Sequence, residues 1–196
     1  MSKIPRFGPR SGALGSVRAV LRILVAILAV GVCPARGASA SPSKPLPASV
    51  FEIAPGLHRL GTARHTVFGL PVFDATLWIA GQQWSPIEPH ALDVLASRNI
   101  PPKRLVGGVI DEMRDLKAAN DRQRAQWQAD LLRILPPLTR GDQLVVLCLP
   151  DRKTLIYFNG LERGKIDDPN FGAALFRVWL DPMSSRPDVR NALLQY

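Results

Sequence analysis

The chain has 196 residues, with 25 basic and 16 acidic side chains and a net charge of +9 at neutral pH. The first 40 residues hold six of the basic side chains and no acidic one, so the remainder carries 19 basic against 16 acidic residues. Because those 19 are spread along the chain rather than gathered in one basic patch, the charge does not support nucleic-acid binding, and we expect no nucleic-acid partner.

The first 40 residues have the three parts of a secretory signal peptide. A basic segment, residues 1–22, precedes an apolar run, residues 23–33, and the small-residue sequence Ala38-Ser39-Ala40. A membrane-spanning helix needs about 20 apolar residues, more than this run provides. We predict cleavage after Ala40, a periplasmic or secreted protein, and membrane contact only through the leader before cleavage. A permanent N-terminal anchor is the alternative. A lipoprotein anchor on Cys33 is disfavoured by the bulky Val32.

Residues 41–50, SPSKPLPASV, are rich in Pro and Ser and predict a flexible linker to a domain spanning residues 51–196. The cleaved chain would keep one cysteine, Cys148, in the apolar run LVVLCLP. We predict a buried core thiol there. The three histidines, His58, His65 and His90, lack metal-ligand spacing, and no nucleotide-binding glycine motif occurs. We therefore expect neither a metal nor a cofactor.

The domain opens with strand patterns, turns helical in its middle, and returns to strands before its last helices. Asn120 is predicted to cap a helix, with Gln123 as a weak capping box. A polar turn between the last two strands predicts an antiparallel hairpin. The predicted strands are 57–60, 64–68, 72–79, 92–96, 143–149 and 154–158, and the predicted helices are 101–117, 121–135, one from about 168 and one from 187. This order indicates an α+β fold with an antiparallel sheet.

Several polar residues receive structural interpretations. His65 is predicted to be a surface residue of a strand. The pair Asp167 and Asp168 is predicted to cap the following helix. The pair Asp111 and Glu112 is predicted to lie on a solvated helix face. The tryptophans favour core packing, with a ligand-pocket wall as the alternative; they are Trp78, Trp84, Trp127 and Trp179.

Four segments, in order, resemble the chalcone isomerase-like proteins, in particular their small exported bacterial branch. They are LGTARHTVFGLPVFDATLWIAG, ALDVLASRNIPPKRLV, RGDQLVVLCLPDRKTLIYFNGLERGKIDD and PNFGAALFRVWLDP. The third resembles the family's Gly-Asp strand and Asn-Gly hairpin. The fourth is similar to its Phe-containing helix ending in Trp-Leu-Gly, with Asp181 in place of the last Gly. The resemblance implies an open-faced β-sandwich, an antiparallel sheet covered by helices with a ligand cleft between them.

The resemblance also implies a ligand-binding residue. Family members either close chalcones to flavanones or hold a fatty acid, and in both classes an Arg on an early strand faces the ligand. The matching position is Arg64. A guanidinium in such a cleft holds a carboxylate or stabilises an enolate.

The residue set of the enzymes does not carry over beyond Arg64. The plant-type enzymes have a Thr where this chain has Phe73, and neither Tyr157 nor Tyr196 matches their catalytic Tyr. Asn99 and Asn120 are predicted as a loop residue and a helix cap, so the catalytic residues stay unknown. We expect a non-catalytic binding protein for an apolar acid such as a fatty acid. The alternatives are an isomerase (an intramolecular lyase) acting on a chalcone-like enone, and an envelope accessory or scaffold protein.

Overall fold

The computed structural model describes residues 44–151 and 153–196, which form a six-stranded antiparallel sheet and five helices. The strands lie in the sheet in chain order, so each pairs with its sequence neighbour. The elements are α1 (Ala48–Ile53), β1 (His58–Val67), β2 (Leu70–Ile79), β3 (His90–Ala96), α2 (Pro102–Asp115), α3 (Asp121–Ile134), β4 (Gln143–Cys148), β5 (Thr154–Phe158), β6 (Leu161–Ile166), α4 (Phe171–Leu180) and α5 (Pro187–Leu194). The predicted α+β fold, an antiparallel sheet covered by helices, is confirmed. The predicted signal peptide lies outside the described residues.

The strand predictions needed two corrections. The segments predicted as separate strands at 57–60 and 64–68 form one strand, β1, whose register shifts between Arg59 and Gly61 and again between His65 and Thr66. Strand β6 was not predicted, because its sequence, LERGKI, is exposed over most of its length and lacks an apolar alternation. A charged edge strand of this kind protects the sheet against pairing with other chains.

The helices cover the inner face of the sheet and bury the main core against it. The predicted capping box is present: Asn120 Oδ1 accepts from Gln123 N at 2.9 Å, and Gln123 Oε1 accepts from Asn120 N at 3.3 Å. Asp168 Oδ1 accepts from Asn170 N at 2.9 Å beside the start of α4, and its Oδ2 accepts from the buried Trp127 Nε1 at 3.0 Å. Asp168 therefore ties the start of α4 to α3. The predicted capping of α4 by Asp167 and Asp168 is not observed, because the N-cap is Asn170, without a side-chain cap bond, and Asp167 pairs with Lys165. No helix of the described residues is long and apolar enough to cross a membrane.

Residues 44–57, which we call the outer strap, cover the opposite face of the sheet. Leu46 and Val50 are buried there, in a small apolar cluster that includes Tyr157. The structure therefore differs from the predicted flexible linker over residues 44–50, because apolar residues spaced four apart pack this Pro-rich segment onto the sheet.

A carboxylate lies buried under the outer strap. Asp93 Oδ2 accepts from Gln143 Nε2 at 3.0 Å, and the same amide donates to Pro45 O at 3.1 Å. Burial raises the pKa of Asp93 to about 6, although the hydrogen bond from Gln143 acts in the opposite direction. This interface therefore contains a group that titrates in the mildly acidic range.

Candidate functional site

A cleft of about 330 Å³ opens between the inner face of the sheet and helices α2, α4 and α5. Its floor is aromatic: the Phe73 ring stacks on His65 with centroids 4.7 Å apart and meets Trp179 edge-on at 5.8 Å. Seven aliphatic side chains form the apolar part of the remaining wall, and they are Val67, Val72, Ile100, Leu105, Val109, Val178 and Val189. Clefts of this size with apolar walls and a few polar groups are typical small-molecule sites.

Three arginines border the cleft, one from each of three segments. Arg186 is engaged: its Nε and Nη2 donate to the Asp188 carboxylate at 3.3 and 3.2 Å, and its Nη1 donates to His65 Nδ1 at 2.9 Å. Arg98 and Arg104 are exposed, and within the described part of the chain neither has a hydrogen bond or an ion pair. The cleft therefore has cations available at its border.

His65 lies in this cleft, so its prediction as a surface residue was wrong. An arginine can only donate, so His65 Nδ1 accepts and the neutral ring carries its proton on Nε2. Burial lowers the pKa of His65, as does the charge of Arg186, whereas Asp188 raises it. At neutral pH the imidazole is therefore uncharged, and among the described residues its Nε2–H has no hydrogen-bond partner.

Arg64 lies on the outer face of the sheet. Its Nε and Nη2 donate to Asp74 Oδ1 and Oδ2 at 2.7 and 3.1 Å, directly across the β1–β2 pair. Side chains alternate between faces along a strand, so Arg64 points away from the cleft that its neighbour His65 lines. The expectation that Arg64 faces the ligand cleft therefore differs from the structure.

Glu112 was predicted to be solvated, but it is a hydrogen-bonded wall residue of the cleft. Its Oε1 accepts from Ser185 N at 2.8 Å and its Oε2 accepts from Ser185 Oγ at 2.7 Å. Both carboxylate oxygens are thus occupied by the segment that precedes α5. The contact joins residues 73 positions apart, so no local sequence pattern could have predicted it.

A second cavity of about 610 Å³ lies near the other end of β3 and contains His90 and Cys148. His90 Nδ1 donates to Glu88 O at 2.7 Å, and burial lowers the pKa of this imidazole. Burial raises the pKa of the free Cys148 thiol to about 11, so it is protonated at neutral pH, in agreement with its prediction as a core thiol. The described residues contain no group of three or more His, Cys, Asp or Glu side chains that could hold a metal ion.

The tryptophans were interpreted either as core residues or as walls of a ligand pocket, and both are observed. Trp127 is buried in the core, whereas Trp179 lines the first cleft and Trp84 lines the second cavity. Of these two cavities, the first combines apolar walls with two arginines, Arg98 and Arg104, that have no partner in the described part of the chain, so we take it as the candidate site.

Comparison with known proteins places the chain in a family. A family model described as chalcone isomerase-like matches residues 82–195. The fold is similar to the crystal structure of an Arabidopsis thaliana fatty-acid binding protein, with a TM-score of 0.55 and 10% sequence identity over 71% of this chain and 87% of that chain. A search of curated protein sequences finds no match. The family model covers more than half of the chain, and the chain therefore belongs to the chalcone isomerase-like family.

Proposed function

We propose that the protein binds a small amphipathic acid, such as a fatty acid, in the cleft between sheet and helices. The observation that carries the proposal is an apolar cleft bordered by two arginines, Arg98 and Arg104, that have no partner among the described residues. The acyl chain would lie against the aromatic floor and the valine-rich wall. Its carboxylate would meet the guanidinium groups, which hold carboxylates through paired hydrogen bonds.

The comparisons support this class of ligand. The fold is similar to that of a fatty-acid binding protein. The family resemblance of the sequence implies a ligand between the sheet and the helices. The residues lining the cleft do not match the catalytic residues of an isomerase. None of these lining residues is a tyrosine, and Nδ1 of His65 is already engaged by Arg186. By the resemblance, Phe73 also stands where the plant-type enzymes have a Thr. A scaffold function would leave the cleft without a use.

Replacing Arg98 and Arg104 together by alanine is expected to weaken fatty-acid binding by about tenfold or more. The reason is that each lost charge-assisted hydrogen bond is worth about 1.5 to 3 kcal/mol, reduced here by solvent exposure. The measurement is displacement of a fluorescent fatty acid from the full-length protein by palmitate. The matched control is Arg64→Ala on the outer face, which should keep the affinity within about twofold. A loss confined to Arg64→Ala would instead assign the ligand to the outer face and contradict the cleft proposal.

We also propose that the protein is exported and acts in the periplasm or outside the cell. The support is the leader itself: its basic start, its short apolar run and its Ala38-Ser39-Ala40 site. We expect the intact mass of the protein isolated from its native cells to correspond to a chain that begins at Ser41. A mass that includes residues 1–40 would favour the permanent anchor.

A further inference from the structure

The hairpin between β1 and β2 presents two large apolar side chains to solvent. Phe68 is 95% exposed and Leu70 is 58% exposed. Phe68 has a φ of +50°, a left-handed conformation that is unfavourable for a bulky residue, and Gly69 follows with a φ of +74°. Soluble proteins do expose single apolar residues, but an aromatic and an aliphatic side chain together at one turn form a patch that needs an explanation.

This apolar turn stands at the border of the ligand cleft. The residues that flank it, Val67 and Val72, both line the cleft. Val72 O accepts from Ser97 N at 2.9 Å, which holds the segment before α2 against the base of the hairpin. The apolar turn and the arginines of the cleft therefore lie at the same end of the sheet.

Four basic residues occupy this end: Arg98, Lys103, Arg104 and Arg140. Arg140 belongs here because the adjacent Gly141 N donates to Ala96 O, at the end of β3, at 2.8 Å. All four side chains are exposed, and within residues 44–151 and 153–196 none has an ion pair.

The two carboxylates of this region, Glu112 and Asp142, offset part of this charge, but among the described residues neither forms an ion pair with any of the four basic residues. Glu112 is bonded to Ser185, and Asp142 accepts from Thr139 and Asn159. These hydrogen bonds stabilise the ionised form of Asp142 and lower its pKa. The end of the sheet thus carries an excess of positive charge around an exposed apolar turn.

We propose that this surface docks on an anionic lipid bilayer, with Phe68 and Leu70 inserted among the headgroups and the four basic residues above anionic lipids. The complementarity is twofold: apolar side chains gain burial at the headgroup boundary, and each basic residue near the surface adds electrostatic attraction. Docking would turn the cleft towards the source of its apolar ligand. This last step rests on the proposed function, whereas the docking itself does not. The sequence had indicated membrane contact only through the leader.

The first experiment measures insertion at the turn itself, so that the leader cannot produce the signal. Leu70→Cys and Ile87→Cys are each prepared in the full-length chain with Cys33→Ser and labelled with an environment-sensitive fluorophore. Both side chains are exposed and apolar, but Ile87 lies in the connection between β2 and β3, at the opposite end of the sheet from the β1–β2 turn. With vesicles of equimolar phosphatidylglycerol and phosphatidylcholine, we expect a blue shift at position 70 and none at position 87. A label at 70 that stays in water, or equal shifts at both positions, would overturn the proposal.

The second experiment tests the charges with residues that do not line the cleft. Lys103→Glu with Arg140→Glu is expected to weaken the vesicle titration of the label at 70 by about tenfold or more, since each basic residue contributes about a fivefold factor. The effect should shrink as salt is added. The matched control, Arg122→Glu with Arg163→Glu, reverses two exposed charges elsewhere and should change little. Equal weakening by both pairs would mean non-specific attraction. Palmitate affinity, measured without vesicles, is expected to be unchanged in both pairs, which separates this test from that of ligand binding.

Discussion

Replacing Gly61 by alanine is expected to lower the free energy of unfolding by about 3 kcal/mol or more, at the upper end of the range for overpacked sites. A Cβ at this position would lie 2.3 Å from Leu193 O and 2.4 Å from Ala192 O. Both are backbone atoms of α5, so no side-chain rotation can relieve the clash, and the helix must move away from β1. Urea unfolding followed by circular dichroism measures the change.

The control for Gly61 is Gly107→Ala in α2. Apart from the chain neighbours and the backbone of α2 itself, no atom lies within 4 Å of a Cβ built at Gly107, and alanine is the better helix former by about 1 kcal/mol. This variant should therefore be slightly more stable than the wild type. If Gly61→Ala were as stable as Gly107→Ala, the close approach of α5 to β1 would be disproved.

Replacing Asp93 by asparagine is expected to raise the free energy of unfolding at pH 7 by about 2 to 3 kcal/mol. Burial raises the folded-state pKa of Asp93 to about 6, well above that of an unfolded aspartate. The folded chain therefore binds this proton more readily than the unfolded chain does. The stabilisation that the protonated Asp93 side chain contributes is fully present below about pH 4 and is lost as the pH rises through about 6. Asparagine keeps an acceptor for Gln143 but cannot ionise.

The measurement is urea unfolding of the wild type and of Asp93→Asn from pH 4 to pH 8. We expect the two free energies to diverge as the pH rises through this window and then to stay a constant distance apart. Asp142→Asn provides a control of opposite sign, because hydrogen bonds lower the pKa of Asp142 and its carboxylate therefore stabilises the fold at neutral pH. Parallel curves for the wild type and Asp93→Asn would show that Asp93 does not titrate differently on folding.

The parts of the fold that could be predicted from the sequence depend on local signals. The capping box at Asn120 and the strand predicted over residues 72–79 involve residues close in the sequence, and both predictions are confirmed. The outer strap could not be predicted in this way. Its burial depends on contacts with β3, β4 and β5, and a Pro- and Ser-rich composition carries no information about such distant partners.

The family was identified correctly from its motifs, but the face on which Arg64 lies was not. A shift of one residue in register moves every side chain of a strand to the other face, and β1 has two such irregularities around Arg64. Because side chains alternate along a strand, His65 lies on the face opposite Arg64. The sequence pattern was therefore also consistent with His65, rather than Arg64, facing the cleft. The contacts of His65 with Arg186 and of Glu112 with Ser185 join distant segments and become visible only in the folded chain.

The close packing of β1 against α5 has a consequence for biosynthesis. The six strands can pair one after another as the chain grows, because each neighbour in the sheet is also the neighbour in sequence. The inner face of β1, by contrast, is covered by the helix that is translated last of the described elements. An apolar surface therefore stays open on the nascent chain until translation has passed Leu193, and such surfaces are the ones that chaperones bind.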